Sequence, residues 1–230
     1  MNSYERISLN RCIQSFADFN KYLIVPETLD TSEYLSMDKT LNIVRFDDKY
    51  FTSEIGYNLL CKSKYFYKPF LEYDYMLLYQ LDSFVFENTL FEWSNKGYDY
   101  IGAPWMNFDW FPLKKMGLPN SWIDKILFDV GNGGFSLRKI DTFYTIAKSL
   151  HFITQRVKFH EDIWWTNVVN RIFPSFKIPK QQEALQFAFE TDPEECYKLN
   201  LQKLPFGCHA WEKYGIDFWR SIFKQYGYEI

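Results

Sequence analysis

Tyr73-Asp74-Tyr75-Met76-Leu77-Leu78-Tyr79-Gln80-Leu81-Asp82-Ser83-Phe84-Val85-Phe86 is an apolar run interrupted in its middle by Gln80, Asp82 and Ser83. A continuous run of Met, Leu and Tyr is the signature of a strand buried on both faces of a parallel sheet, and a carboxylate at its exit stands where open α/β sheets bind ligands. Asp82 is equally what caps a turn, and the run by itself leaves both roles open. The flanking sequence separates them.

Outward from this run, helix and strand patterns alternate, which predicts an α/β fold. On the N-terminal side, Asn2 and Glu5 predict a capped helix to about Phe16, and Tyr22 to Val25 a short strand stopped by Pro26. Leu41 to Phe46 reads as a second strand, and Ser53 to Phe70 as a helix with Ile55, Leu59, Leu60, Phe66, Tyr67 and Phe70 on its apolar face. On the C-terminal side, Asn88 caps a predicted helix ending at Gly97, and Tyr98 to Gly102 reads as a strand. Residues 103–130 read as an irregular, Trp-rich insertion of the length that compact domains keep for function. Phe135 to Arg138 is strand-like, and residues 141–150, 161–173 and 215–226 are helical. The chain opens on a helix, whereas a doubly wound domain normally opens on a buried strand that helps to hold a nucleotide base; that first strand is expected to be absent.

Composition narrows the functions. A chain of 230 residues suits one domain with a sheet and covering helices. Its net charge of -3 leaves no positive excess to neutralise a polyphosphate backbone, which argues against nucleic acid as a partner. Aromatic residues make up 21%, enough to serve both core packing and stacking on sugar rings. Cys12, Cys61, Cys196 and Cys208 lack the paired spacing of a zinc site and are expected to be reduced thiols of a cytosolic chain. No run approaches the roughly 18 apolar residues that span a bilayer, so membrane contact is expected to be peripheral, at the inner surface.

Four constellations can carry chemistry. In Gln80-Leu81-Asp82, the Asp82 carboxylate is a hard oxygen ligand suited to a divalent cation on a diphosphate, while Gln80 occupies the place where a second acid would complete an Asp-x-Asp pair. In Gly131-Asn132-Gly133-Gly134, the glycines allow positive φ and close approach of the backbone to a ligand, or a tight turn into a strand. In His160-Glu161-Asp162-Ile163-Trp164-Trp165, acids in a first helical turn are favoured by the helix N-terminus, which keeps their pKa low; alternatively Asp162 accepts a proton from a hydroxyl, Glu161 orients a sugar and a Trp stacks on it. His209, in a loop bounded by Pro205 and Gly207, is a metal or phosphate ligand or a structural histidine. Lys62 and Lys64 either reach a phosphate or are solvated helix lysines.

Taken in order, Tyr79-Gln80-Leu81-Asp82, Gly97-Tyr98-Asp99-Tyr100-Ile101-Gly102-Ala103-Pro104-Trp105, Gly131-Asn132-Gly133-Gly134-Phe135-Ser136-Leu137-Arg138, His160-Glu161-Asp162 and Pro205-Phe206-Gly207-Cys208-His209 resemble a family of bacterial glycosyltransferase-like proteins formerly catalogued as a domain of unknown function. That family is similar to nucleotide-sugar glycosyltransferases of the GT-A fold. The resemblance implies a single GT-A-like, Rossmann-like domain with a mixed, mostly parallel central sheet flanked by helices, residues 1–102 holding the nucleotide and 103–230 the acceptor and the catalytic groups. It implies a hexosyltransferase of polysaccharide biosynthesis that uses a UDP-sugar donor, Mn2+ or Mg2+, and a glycan or lipid-linked glycan acceptor. By resemblance the metal falls to Asp82 and His209, the donor to Gln80, Asp82, Lys64, Asn132, Gly133 and Gly134, and the catalytic base of an inverting reaction to Asp162, with Glu161 beside it. Two other readings stay open: a carbohydrate- or nucleotide-binding module of the same fold without catalysis, and a metal-dependent phosphoryl-transfer enzyme built on Asp82 and the Glu161-Asp162 pair.

Overall fold

The computed structural model describes residues 1–106, 130–154 and 156–230. Most of the predicted insertion, residues 107–129, therefore lies outside the described residues. The chain begins with α1 (Ser3–Ser15), which closes its first turn with the expected capping box: Glu5 N donates to Asn2 Oδ1 at 2.8 Å and Asn2 N to Glu5 Oε2 at 2.7 Å. Then come β1 (Tyr22–Pro26), α2 (Ser32–Met37) and β2 (Asn42–Phe46), with β1 and β2 paired in parallel. The predicted helix over residues 53–70 is broken instead into α3 (Glu54–Cys61), α4 (Lys64–Tyr67) and a 3-10 turn, Lys68–Phe70. The break is chemical: Ser63 starts a new helix by accepting from Tyr65 N. Ile55, expected inside, is half exposed.

The run quoted at the outset forms β3 (Tyr75–Tyr79) and β4 (Phe84–Val85), separated by the polar break. β3 is half-buried along its length, and it pairs antiparallel with β6 (Phe135–Lys139), which also pairs antiparallel with β5 (Tyr100–Ile101) after α5 (Leu90–Asn95). A third small sheet places β8 (Gly207–Cys208) between β4, antiparallel, and β7 (Ala188–Phe189), parallel. Instead of one mixed central sheet there are three small ones among the described residues, the first parallel, the second antiparallel and the third mixed. The parallel majority is not found among the described residues, because β6 runs against β3 and β8 against β4, the two strands on either side of the Gln80–Asp82 break. Around them pack α6 (Ile140–Ser149), α7 (His151–Thr154), α8 (Glu161–Ile163) continued by a π-helical turn (Trp164–Val169) and α9 (Asn170–Ile172), α10 (Gln181–Phe187), α11 (Pro193–Leu199) and α12 (Ile216–Gln225).

The aromatic excess is largely spent inside. Tyr67, Phe143, Trp165 and Phe176 interlock in one cluster, with Phe143 and Trp165 centroids 4.2 Å apart. Phe84, Phe86, Trp211, Trp219 and Phe223 fill another, under α12. Trp164 and Trp165, expected as a stacking platform for sugar, are buried at 2% and 0% exposure and serve the core.

Candidate active site

Strand register, rather than sequence proximity, assembles the site. β3 and β6 end together at the Tyr79–Phe135 pair, so Gln80 to Asp82 leave the sheet beside Gly131 to Gly134, and Gln80 N extends the ladder by donating to Gly134 O at 2.9 Å. β4 and β8 pair Phe84 with Cys208, which sets Asp82, just before β4, against His209, just after β8. β7 and β8 run in parallel with Phe189 beside Cys208, so Glu190 and His209 leave the same edge, and His209 N donates to Phe189 O at 3.0 Å.

His209 is the hub. Its Nε2 is 3.0 Å from Gln80 Oε1 and 3.1 Å from Asp82 Oδ1, while Nδ1 faces Glu190 Oε1 at 3.4 Å. Burial opposes a charge on this ring, but the adjacent carboxylates of Asp82 and Glu190 prevail and hold its pKa up at about 9. As an imidazolium it has one N–H on each nitrogen. The Nε2 proton is directed at Gln80, which leaves Asp82 Oδ1 buried and without an aligned hydrogen bond, held to His209 by charge. Burial lifts the Asp82 carboxyl, and His209 more than reverses this, leaving it below its ordinary value. Gln80 is itself pinned, its Nε2 donating to Tyr57 Oη at 2.7 Å.

The residues expected at a metal thus lie together, and their chemistry suits a hard divalent ion. His209 Nε2 stands 3.0 and 3.1 Å from the Gln80 amide oxygen and the Asp82 carboxylate oxygen, close to the roughly 3.0 Å between neighbouring ligands of an octahedral Mg2+ shell, given bonds of about 2.1 Å at right angles. Asp82 Oδ1 is the buried polar atom left for such an ion to use. Among the described residues no three His, Cys, Asp or Glu side chains are grouped to hold a metal, so this chain would contribute a partial shell, the rest falling to phosphate oxygens and water. Glu190, which the sequence reading missed, occupies the position of an outer carboxylate that orients a ligating histidine. No local motif marks it; only the parallel pairing of β7 with β8 does.

The glycine loop is shaped by close approach and not by positive φ, which among the described glycines occurs at Gly97, Gly215 and Gly227. A Cβ on Gly134 would lie 2.0 Å from His209 Nε2, and one on Gly133 1.7 Å from Glu161 Oε1. What presses on the backbone is the site's own side chains. Asn132 is buried and its Oδ1 accepts from Gly134 N at 3.0 Å, so it shapes the loop from within.

Glu161 departs from its expected role. Its side chain is 4% exposed and paired with the fully buried Arg138 at 2.7 Å, so its carboxylate is not offered to a sugar. Arg138 donates to Ser136 Oγ, Tyr67 Oη, Gly133 O and Glu161 Oε1, four of its five N–H groups, which ties the glycine loop to α8. Helix α3 holds the same segment from the other side at residues four apart. Glu54 Oε1 lies 2.9 Å from His160 Nδ1, Asn58 Oδ1 accepts from Glu161 N at 2.7 Å, and Lys62 Nζ donates to Val157 O and Phe159 O at 2.7 and 2.8 Å. Lys62 is therefore neither a phosphate ligand nor a solvated lysine. It is buried, and burial lowers its pKa to about 8. Lys64, expected at the donor, lies over the neighbouring Tyr65 ring at 5.2 Å, and no described contact brings it to the Asp82–His209 group.

Asp162 follows Glu161 and is only half-buried, so it keeps a path to the surface. Contrary to the expected stabilisation by a helix N-terminus, its pKa is raised to about 7: burial and the charges of Glu161 and Glu190 outweigh the hydrogen bond from Ile163 N. A helical stretch of three residues before the π turn contributes little dipole against two carboxylates. The charge of Glu190 acts on both Asp162 and His209, so the Asp82–His209 edge and a carboxylate with a pKa near neutral share one charged neighbour.

Comparison with known proteins agrees with this architecture. The family described as protein of unknown function (DUF5672) matches residues 40–209. No curated protein matches the chain. Among solved structures, mouse xyloside xylosyltransferase 1 in its apo form is similar at a TM-score of 0.55 and 10% identity, covering 90% of this chain and 92% of its own. A glycosyltransferase involved in the glycosylation of the major capsid of PBCV-1 aligns at a TM-score of 0.44 and 12% identity, over 83% of this chain and 92% of its own. The xylosyltransferase likeness is one of fold and establishes the expected α/β, GT-A-like class.

Proposed function

We propose that this chain, which belongs to the DUF5672 family, is a glycosyltransferase that moves a sugar from a nucleotide-sugar donor to a hydroxyl of a glycan or lipid-linked glycan, with metal assistance and inversion. The observation that carries the reading is the convergence of Gln80, Asp82, Glu190 and His209 on the glycine loop, with Asp162 beside them at a pKa of about 7. The likeness of fold to a xylosyltransferase supports the reaction class. The division into a nucleotide-holding part, 1–102, and an acceptor and catalytic part, 103–230, belongs to the same reading: Gln80 and Asp82 come from the first, and Asp162, Glu190 and His209 from the second.

Asp82, His209 and the Gln80 amide oxygen would hold Mn2+ or Mg2+, which supplies positive charge to the donor diphosphate. Glu190 faces Nδ1 of the His209 ring at 3.4 Å and supplies the opposite charge on that side. Asp162, about half ionised near pH 7, takes the proton of the acceptor hydroxyl as its oxygen attacks the anomeric carbon; the bond to the diphosphate breaks on the opposite face. Asn132, Gly133 and Gly134 form the wall against which the donor lies.

Titration calorimetry with UDP and Mn2+ tests the reading. Asp82→Ala is expected to lose the metal-dependent part of nucleotide binding, and undiminished binding in that variant would overturn the assignment. Retention at the anomeric centre, followed by NMR, would remove Asp162 from the role of base. The bond between His209 Nε2 and Gln80 Oε1 favours one second reading, a nucleotide-binding module whose acidic pair has lapsed. Stabilisation by sugar nucleotide with neither transfer nor donor hydrolysis would decide for it.

A further inference from the structure

Two segments stand out by what they lack: neither Ile55 to Leu71 nor Thr142 to His160 contains an aspartate or a glutamate, in a chain whose net charge is -3. The fold packs them together. α4 lies against α6 with the Tyr67 and Phe143 rings 5.2 Å apart, Tyr65 meets His151 at 5.7 Å, and Lys62 reaches the carbonyls of Val157 and Phe159. The result is one face free of acidic side chains within its own segments, bordered by Glu54, which pairs with His160, and by Glu72 and Asp141. Lys68, Lys148, Arg156 and Lys158 are exposed on it.

The same face carries bulky apolar side chains in water. Phe152 is 79% exposed, and Ile153, Phe159 and Tyr65 about half so. Single exposed apolar residues are ordinary, but several together with a basic rim mark a docking surface. Phosphate groups alone would leave Phe152 and Ile153 unburied, and an apolar protein partner would leave four cations without counter-charges. An anionic lipid surface satisfies both, with phenyl and sec-butyl groups at headgroup depth and lysine and arginine against phosphates. We propose that this face seats the protein on an anionic membrane surface. Phe159 is three residues from Asp162, so on the transferase reading a lipid-borne acceptor comes within reach of the base. The docking itself is independent of that reading, because it is read by binding and not by turnover.

The test is cosedimentation of the full chain with vesicles of phosphatidylcholine alone or of equal parts phosphatidylcholine and phosphatidylglycerol. Binding is expected to the second and not to the first, and to weaken as salt is raised. Arg156→Gln with Lys158→Gln should lower the partition coefficient about 25-fold, at about fivefold per cation. Phe152→Ser with Phe159→Ser should lower it roughly tenfold or more. These positions are exposed, so melting temperatures should stay at the wild-type value, and the lipid dependence of the wild type stands whatever the variants do. Equal binding to both vesicles, binding to neither, or full competition by RNA with no effect of the Phe substitutions would overturn the proposal.

Discussion

Asp162→Asn separates stability from chemistry at one residue. The folded protein holds the Asp162 pKa at about 7 against an ordinary value of 3.8, a difference that corresponds to about 4 kcal/mol when fully expressed. Between those two values the folded state keeps a proton that the unfolded chain has released. Stability therefore falls as pH rises from about 3.8 to about 7, and the full penalty persists above. Asparagine keeps an oxygen for Ile163 N but has no charge to bury, so the variant escapes the penalty. Relative to wild type it should gain roughly 2–3 kcal/mol between pH 5 and pH 8 in urea denaturation, while transfer falls by about 10²–10⁴ and nucleotide binding is kept. A stability difference independent of pH would refute the raised pKa, and with it the physical ground for Asp162 as a base matched to neutral pH.

Other perturbations probe the rest of the site. Gly134→Ala places a methyl 2.0 Å from His209 Nε2 and should destabilise by about 1–3 kcal/mol while weakening UDP-dependent Mn2+ binding, measured by thermal melting and calorimetry. Arg138→Met leaves Glu161 buried without its partner and should reduce stability by about 3–5 kcal/mol; adding Glu161→Gln should recover much of it, and a double variant no better than the single would argue against the pair. Because a metal must displace the His209 proton, Mn2+ affinity in the presence of UDP should rise about tenfold per pH unit from pH 7 to about 9, read by electron paramagnetic resonance of free Mn2+. A flat profile would exclude His209 as a ligand.

What was legible in the sequence divides along a physical line. Asn2 with Glu5 and the apolar run of β3 depend on local hydrogen bonds and pattern, and the capping box and the existence of the strand follow the expectation, while its half-buried, antiparallel setting does not. Roles that depend on what faces a side chain from elsewhere in the chain were not legible. Lys62 reads as a lysine on a solvated helix, yet it follows the end of α3 and its ammonium is buried on Val157 and Phe159 carbonyls some hundred positions on. Glu161 looks like half of a catalytic pair until Arg138, on a strand, takes its charge. Glu190 carries no motif at all and enters only through strand register.

These three side chains also explain each other. Arg138 neutralises Glu161 in part, so Glu161 can be buried beside Asp162, and it is Asp162's own burial, helped by that charge and by Glu190 beyond it, that holds Asp162 near neutral pH. Lys62 and Asn58 fix the segment so that the charges cannot move apart. Glu190 acts on both halves, facing His209 at Nδ1 with the opposite charge and raising Asp162 through space, so a change there should move the cation-binding edge and the base together, whereas a change at Arg138 should reach the base first.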